Sequence, residues 1–316
     1  MKILVTGCAG FIGFHVSKKL LERGDSVVGV DNLNDYYDVS LKEARLKILK
    51  EFPDFKFHKI DISEGLEELK DQNFEAICHL AAQAGVRYSL ENPLAYEKSN
   101  SLGTLQILEF ARHNEIPKVV YASSSSVYGN SSTGEKSFKE TQKLDEPISL
   151  YAATKKANEL YAHVYNHLFG IKTIGLRFFT VYGPWGRPDM ALFKFTKNIL
   201  SDSPMDVYNR GLLQRDFTYI DDIVSGVISA IDSNHECEIF NLARGESVEL
   251  IDFIKAIEKA TGKKAILNMM PMQPGDVLKT SGDITKAKTQ LSYNPKTSIE
   301  EGVKSFVEWY KGYYER

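Results

Sequence analysis

Along the first 125 positions, short unbroken apolar runs alternate with stretches of helical spacing. Ile3-Leu4-Val5, Val27-Val28-Gly29-Val30, Phe55-Lys56-Phe57 with Ile60, Ala76-Ile77-Cys78-His79-Leu80 and Lys118-Val119-Val120-Tyr121-Ala122 have the continuous β-branched and apolar character of strands covered on both faces. Between them, Phe11 to Arg23 places apolar residues on one helical face and stops at Gly24. Ser40 to Phe52 reads as an amphipathic helix stopped by Pro53, Glu64 to Lys70 as a polar helix, and Leu94 to Asn114 as a helix broken by Pro117. Strand–helix alternation of this kind predicts an α/β fold, a doubly wound parallel sheet with helices on both faces.

After about residue 180 the alternation lapses. Val181 to Met190 is rich in Gly and Pro and reads as loop, Leu192 to Leu200 and Asp221 to Ile231 as helices, and Glu238 to Asn241 as a strand. Helices around 249–261 and 299–314 close the chain, with a Pro/Gly-rich link at 271–275. A smaller, mixed α/β C-terminal lobe that exchanges elements with the first domain is expected.

Composition narrows the class. The 316 residues leave room for one large or two smaller domains, and 43% hydrophobic with 26% charged residues is the balance of a globular protein. The net charge of −3, from 39 basic and 42 acidic residues, gives no basis for a nucleic-acid partner. Cys8, Cys78 and Cys237 are too scattered for a zinc site or a disulfide framework, which fits a reducing compartment. No apolar run approaches the roughly 20 residues of a membrane span, and the start carries no secretory pattern. A cytoplasmic protein with no membrane partner is expected.

The first strand leads into Thr6-Gly7-Cys8-Ala9-Gly10-Phe11-Ile12-Gly13, a GxxGxxG loop opening a helix. Such glycines permit a tight turn and close approach of a pyrophosphate, which the helix N-terminus then meets with open N–H groups. Asp31 ends the second strand, where a carboxylate accepts from ribose hydroxyls and repels a 2′-phosphate; NAD is therefore expected over NADP. A turn cap is the other reading of Asp31, since Asn32 and Asn34 follow. Asp61-Ile62 after the third strand and Ala81-Ala82 after the fourth fall at carboxyl ends of the sheet, where open α/β sheets bind ligands.

Tyr151 and Lys155 stand at i and i+4, on one helical face. A phenol of pKa near 10 becomes a base at neutral pH only after a depression of about 3 units, roughly 4 kcal/mol, which a neighbouring ammonium and a cationic nicotinamide could supply. The fifth strand ends in Ser123-Ser124-Ser125-Ser126, hydroxyls able to donate to an oxyanion or pass a proton. His163 and His167 lack the Glu of a zinc motif, so no metal is expected.

TGCAGFIG, Asp31, LAAQAG, SSSSVYG and YAATK together resemble the extended short-chain dehydrogenase/reductase superfamily along essentially the whole chain. AAQAGVRYSLENP, RFFTVYGPWGRPDMALFKFT and RDFTYIDDI resemble the UDP-glucuronate 4-epimerases in particular. The resemblance implies a Rossmann NAD-binding domain over 1–180, to which 216–243 returns, and a UDP-sugar lobe over 181–215 and 244–316. It implies Tyr151 as base at the sugar C4 hydroxyl, Ser124 on the same oxygen, Lys155 on the nicotinamide ribose and Arg215 on the UDP phosphates. It also implies a homodimer formed through helices at about 94–113 and 151–169.

Thr180 replaces an asparagine common in hexose epimerases, and with Arg187, Ser125 and Ser126 it suggests a hold on a sugar carboxylate. Related dehydratases carry Asp-Glu where this chain has Ser125 and Ser126, and related decarboxylases often carry Glu at the second position. The expected reaction is C4 epimerisation of UDP-glucuronate to UDP-galacturonate for surface polysaccharide synthesis. Epimerisation of a neutral UDP-hexose or UDP-N-acetylhexosamine, decarboxylation of UDP-glucuronate, and a nucleotide-sensing protein without chemistry are the alternatives.

Overall fold

The computed structural model describes residues 1–129, 137–272 and 278–315. Seven strands form one parallel sheet: β1 (Lys2–Thr6), β2 (Ser26–Asp31), β3 (Phe55–Lys59), β4 (Ala76–His79), β5 (Lys118–Ser124), β6 (Lys172–Phe178) and β7 (Cys237–Leu242). Their order is β7-β6-β5-β4-β1-β2-β3, and every neighbouring pair is parallel. The strand order reverses between β1 and β4, the place where such sheets open a ligand crevice.

The unbroken apolar runs follow from burial on both faces. Ile3 and Val5 of β1 enter one core with α1 (Phe11–Glu22) and Ile223, Val227 and Ile231, while Leu4 enters the other with Ile107, Leu108 and Ala162. The helices α2 (Val39–Leu49), α3 (Gly103–His113), α4 (Leu150–Phe169), α5 (Ala191–Leu200), α6 (Ile220–Asp232), α7 (Leu250–Thr261) and α8 (Ile299–Tyr314) follow in chain order. A separate core joins α5, α7 and α8 through Phe193, Phe253, Ile257, Val303 and Phe306. Beside it, Pro204–Tyr208 pairs in parallel with Ile266–Met270. The short helix Thr285–Leu291 packs instead on β7, with Ala287 and Leu291 in the sheet's own core.

Two local expectations change. Glu64 to Lys70 is not one helix but two 3-10 turns, Ile62–Glu64 and Glu67–Leu69, parted by Gly65 at φ +96°. The stretch from Leu94 to Asn114 is helical but contains a π-helical segment, Glu97–Leu102, before α3. Part of the 271–275 link lies outside the described residues. Among the described residues no helix is long and apolar enough to cross a membrane.

Candidate active site

A cavity of about 570 Å³ opens along the carboxyl ends of the sheet strands and reaches Arg215 and Thr280 beyond the sheet. That is ample for a small organic ligand. Gly7, Gly10, Phe11, Ile12 and Gly13 line it from the first turn, Asp31, Asp61 and Ile62 from the ends of β2 and β3, and Ala81 and Ala82 from beyond β4. Ser124, Ser125, Ser126, Tyr151 and Lys155 line its middle, and Thr180, Arg187 and Arg215 complete it. Every site residue expected from the sequence therefore faces one space.

The first turn fits a dinucleotide on its own geometry. Gly7 stands at φ +72°, and a Cβ there would lie 2.8 Å from the Ala81 nitrogen. A Cβ on Gly13 would lie 2.0 Å from the Gly7 carbonyl oxygen. These glycines are demanded by backbone contact, and among the described residues no side chain caps the head of α1 at Gly10. The Asp31 carboxylate is buried at the cavity wall, where it accepts from Ala9 N–H (3.2 Å) and Leu33 N–H (2.9 Å). It is thus a turn cap as well as a candidate ribose acceptor, since each oxygen can accept more than one bond. Burial raises its pKa, against the pull of Leu33 N–H and of the Lys42 ammonium.

Tyr151 and Lys155 project from the same face of α4 beneath the end of β5. The Lys155 Nζ donates to the Ala122 carbonyl (2.9 Å), and burial lowers its pKa to about 8. Burial likewise pushes the Tyr151 phenol above its ordinary value, while the Ser124 hydroxyl and the Arg187 charge act the other way. The ammonium is anchored on the strand end, one helical turn along α4 from the phenol.

Arg187 is held in place by its own loop. Its Nε and Nη2 donate to the two oxygens of Asp189 (3.0 and 2.5 Å), and its guanidinium lies 5.9 Å from the Tyr36 ring centroid. Burial works against the Arg187 charge, but Asp189 keeps its pKa raised. Arg215 reaches the cavity from a short strand paired with Val248–Glu249, its backbone flanked by the buried Asp216. Asp216 accepts from the N–H groups of Arg244, Gly245 and Gly282, at 2.8 to 3.2 Å, and so ties the 244–245 and 282 segments to its own around that wall.

A sequence profile of the GDP-mannose 4,6-dehydratase family matches residues 4–306. The chain belongs to that family. It shares 48% identity with Protein CapI of Staphylococcus aureus across the full length of both, and 47% with UDP-glucuronate 4-epimerase 1 of Arabidopsis thaliana across 99% of this chain and 77% of that protein. The crystal structure of UDP-glucuronic acid 4-epimerase from Bacillus cereus in complex with UDP-glucuronic acid and NAD is similar at a TM-score of 0.93 and 36% identity, covering 99% of this chain and 100% of that one. This member of the GDP-mannose 4,6-dehydratase family is thus an extended short-chain dehydrogenase/reductase. It nonetheless has hydroxyls at Ser125 and Ser126, where the resemblance places the acids of dehydratases.

Sequence reasoning missed several residues of this family member's site. Asp189 and Tyr36 line the cavity around Arg187. Asn100, in the π-helical segment, accepts from Gln83 N–H (2.8 Å) and donates to the Thr154 hydroxyl (3.1 Å), tying the post-β4 segment to α4. The only signal for Asp189 was an acid two residues after Arg187. For Asn100 it was a polar residue in the middle of a helical pattern.

Proposed function

We infer that this chain is an NAD-dependent UDP-glucuronate 4-epimerase, an isomerase that inverts C4 of UDP-glucuronate to give UDP-galacturonate for polysaccharide synthesis. The observation that carries the reading is the shared cavity of Tyr151, Ser124 and Arg187, with serines rather than acids at 125 and 126. Bound along Gly7–Gly13 and Asp31, NAD supplies the hydride acceptor and donor that takes C4 to a ketone and back.

Tyr151 takes the proton of the C4 hydroxyl and later returns it, which general acid–base catalysis makes worth about 10²- to 10⁴-fold. Ser124 donates to the same oxygen and steadies charge as it develops there. Lys155, fixed by the Ala122 carbonyl, presents its ammonium to the ribose beside the reacting carbon. Arg215, in the loop cluster organised by Asp216, meets the diphosphate with a guanidinium fork.

A 4-keto uronate is a β-keto acid, and it loses CO₂ when the bond to its carboxylate lines up with the carbonyl π system. Arg187, with Thr180, Ser125 and Ser126, holds that carboxylate near the carbonyl plane. Nε and Nη2 are committed to Asp189, so the sugar takes the Nη1 edge.

The sheet with its returning segment 216–243 forms the NAD domain, and 181–215 with 244–316 forms the UDP-sugar lobe. The protein works in the cytoplasm as a homodimer. NMR of the sugar products after incubation with UDP-glucuronate tests the reading. UDP-galacturonate without net NADH is expected. A UDP-pentose as main product would make the enzyme a decarboxylase, and unchanged substrate would overturn the assignment.

A further inference from the structure

The dinucleotide loop and the loop that carries Arg187 are tied together by a side chain that neither supplies. Arg45, on α2, is fully buried. Its Nη1 donates to the Ala9 carbonyl and to the Tyr37 hydroxyl, both at 2.8 Å, and its Nη2 donates to the Trp185 carbonyl at 2.5 Å. All three acceptors are neutral oxygens, and among the described residues the Arg45 Nε has no partner. A buried cation satisfied in this way is a poor means of stabilising a core. What a rigid planar fork does well is fix two carbonyls at a set separation.

The Trp185 carbonyl belongs to an unusual turn. Trp185 stands at φ +61°, a region a bulky residue enters only when its surroundings enforce it. A Cβ on Gly186 would lie 2.9 Å from the Gly183 carbonyl oxygen, so the turn is as tight as glycine permits. The His15 Nε2 on α1 holds the Pro184 carbonyl at 2.9 Å. Burial lowers the His15 pKa to about 4, which leaves the ring neutral and able to donate there. The Trp185 ring packs against Phe14, Trp309 and Tyr313. Two residues further on, Arg187 enters the cavity.

We propose that Arg45 is a positioning residue that decides the product: by locking the Trp185 carbonyl to the Ala9 carbonyl, it sets where Arg187 stands relative to the reacting C4. The proposal rests on the reading that Arg187 holds the sugar carboxylate. Without the lock, the carboxylate of the 4-keto sugar tilts out of the carbonyl plane. The C5–carboxylate bond then breaks, its electron pair forms the C4–C5 enolate, and CO₂ leaves. Protonation at C5 gives a 4-keto pentose, which the hydride first taken from C4 reduces to a UDP-pentose. The sum is redox-neutral, UDP-glucuronate plus a proton going to UDP-pentose plus CO₂.

The test compares wild type with Arg45→Met, which keeps bulk and loses the fork. Three quantities are read: the ratio of UDP-pentose to UDP-galacturonate by NMR, the NAD content of the purified protein, and hydrogen exchange of the 183–190 backbone. A misplacement on the scale of 1 Å alters such outcomes by one to two orders of magnitude. The expected result is a rise of about tenfold or more in the pentose ratio, with 183–190 losing protection and NAD content held within about twofold. An unchanged ratio, whether NAD content falls or protection is lost, would reduce Arg45 to a brace of the cofactor loop and overturn the proposal. Should Arg45→Met fail to fold, His15→Leu releases the same turn through Pro184 and is held to the same ratio. A wild-type protein that leaves UDP-glucuronate unchanged refutes the function reading and this proposal with it. An epimerising wild type with a variant of unaltered ratio refutes the proposal alone.

Discussion

A phenol sealed in a protein is a weak base until something nearby prefers its anion. In Tyr151 burial raises the pKa, and the groups that oppose it are the Ser124 hydroxyl and the Arg187 guanidinium. On the function proposed above, Arg187 has two tasks, one at the sugar carboxylate and one through its field on Tyr151. The second has a sign that can be checked. Removing the cation raises the Tyr151 pKa, so the pH at which the phenolate becomes available moves up. In Arg187→Ala the rising limb of kcat against pH should shift to higher pH, while the share of UDP-pentose increases. Arg187→Lys should recover the limb more fully than the product ratio, because an ammonium restores charge but not the bidentate fork to Asp189. A limb at the wild-type position in Arg187→Ala would remove the arginine from the electrostatics of the base.

At the scale of elements, the proposed base Tyr151 and the Ser124 hydroxyl sit on different pieces of chain, and a buried ion pair sets their register. Tyr151, Lys155 and Glu159 recur at i, i+4 and i+8 along α4. Arg177, on β6, donates Nε and Nη2 to the Glu159 carboxylate at 2.8 and 2.9 Å, and its Nη1 donates to the Tyr128 hydroxyl at 2.9 Å. Ser123, beside Ser124, donates to Glu159 at 2.7 Å. Breaking one partner of such a pair costs about 3–5 kcal/mol, whereas replacing both with apolar residues costs much less. In urea unfolding, Arg177→Met should lose stability on that scale, and Arg177→Met with Glu159→Leu should lose less than the sum of the single changes. Additive losses would mean that the two side chains do not act as a unit. This network also shows what the sequence could and could not reveal. Strands such as Ile3-Leu4-Val5 were legible because burial on both faces leaves them no polar positions. Arg177 and Glu159 were not, because a buried ion pair between a strand and a helix has no local pattern. The strand Ile266–Met270 escaped for the opposite reason, being mostly exposed and paired with a single neighbour. The GxxGxxG loop, Asp31 and the Tyr–Lys pair could be read because each combines fixed spacing with a definite place at a strand or helix end. Asp189 could not, since its meaning depends on where the arginine beside it points.

For the whole molecule, the helix that carries Tyr151 also carries a face that the described residues leave exposed. Leu160 is 56% exposed, Val164 45% and Leu168 62%, and they recur at four-residue intervals on α4, away from the Lys155 and Glu159 side. Leu94, Leu102 and Leu105, on the neighbouring helical stretch, are exposed as well, Leu94 at 77%. Scattered apolar residues on a surface need no explanation, but exposed leucines on two adjacent helices are what the proposed homodimer would cover. A second copy meeting it about a twofold axis would bury both stripes in a four-helix arrangement, the isologous geometry most dimers adopt. The catalytic helix would then be clamped between the sheet and the partner. Light scattering should find a dimer at micromolar concentration, and Leu160→Glu with Leu168→Glu should yield a monomer by placing two carboxylates in the contact. Since Tyr151 lies at the opposite end of α4, the monomer should still retain NAD while its turnover falls as the helix loosens. A wild-type monomer would leave these leucines without a partner and would return the steadiness of Tyr151 to the Glu159–Arg177 pair alone.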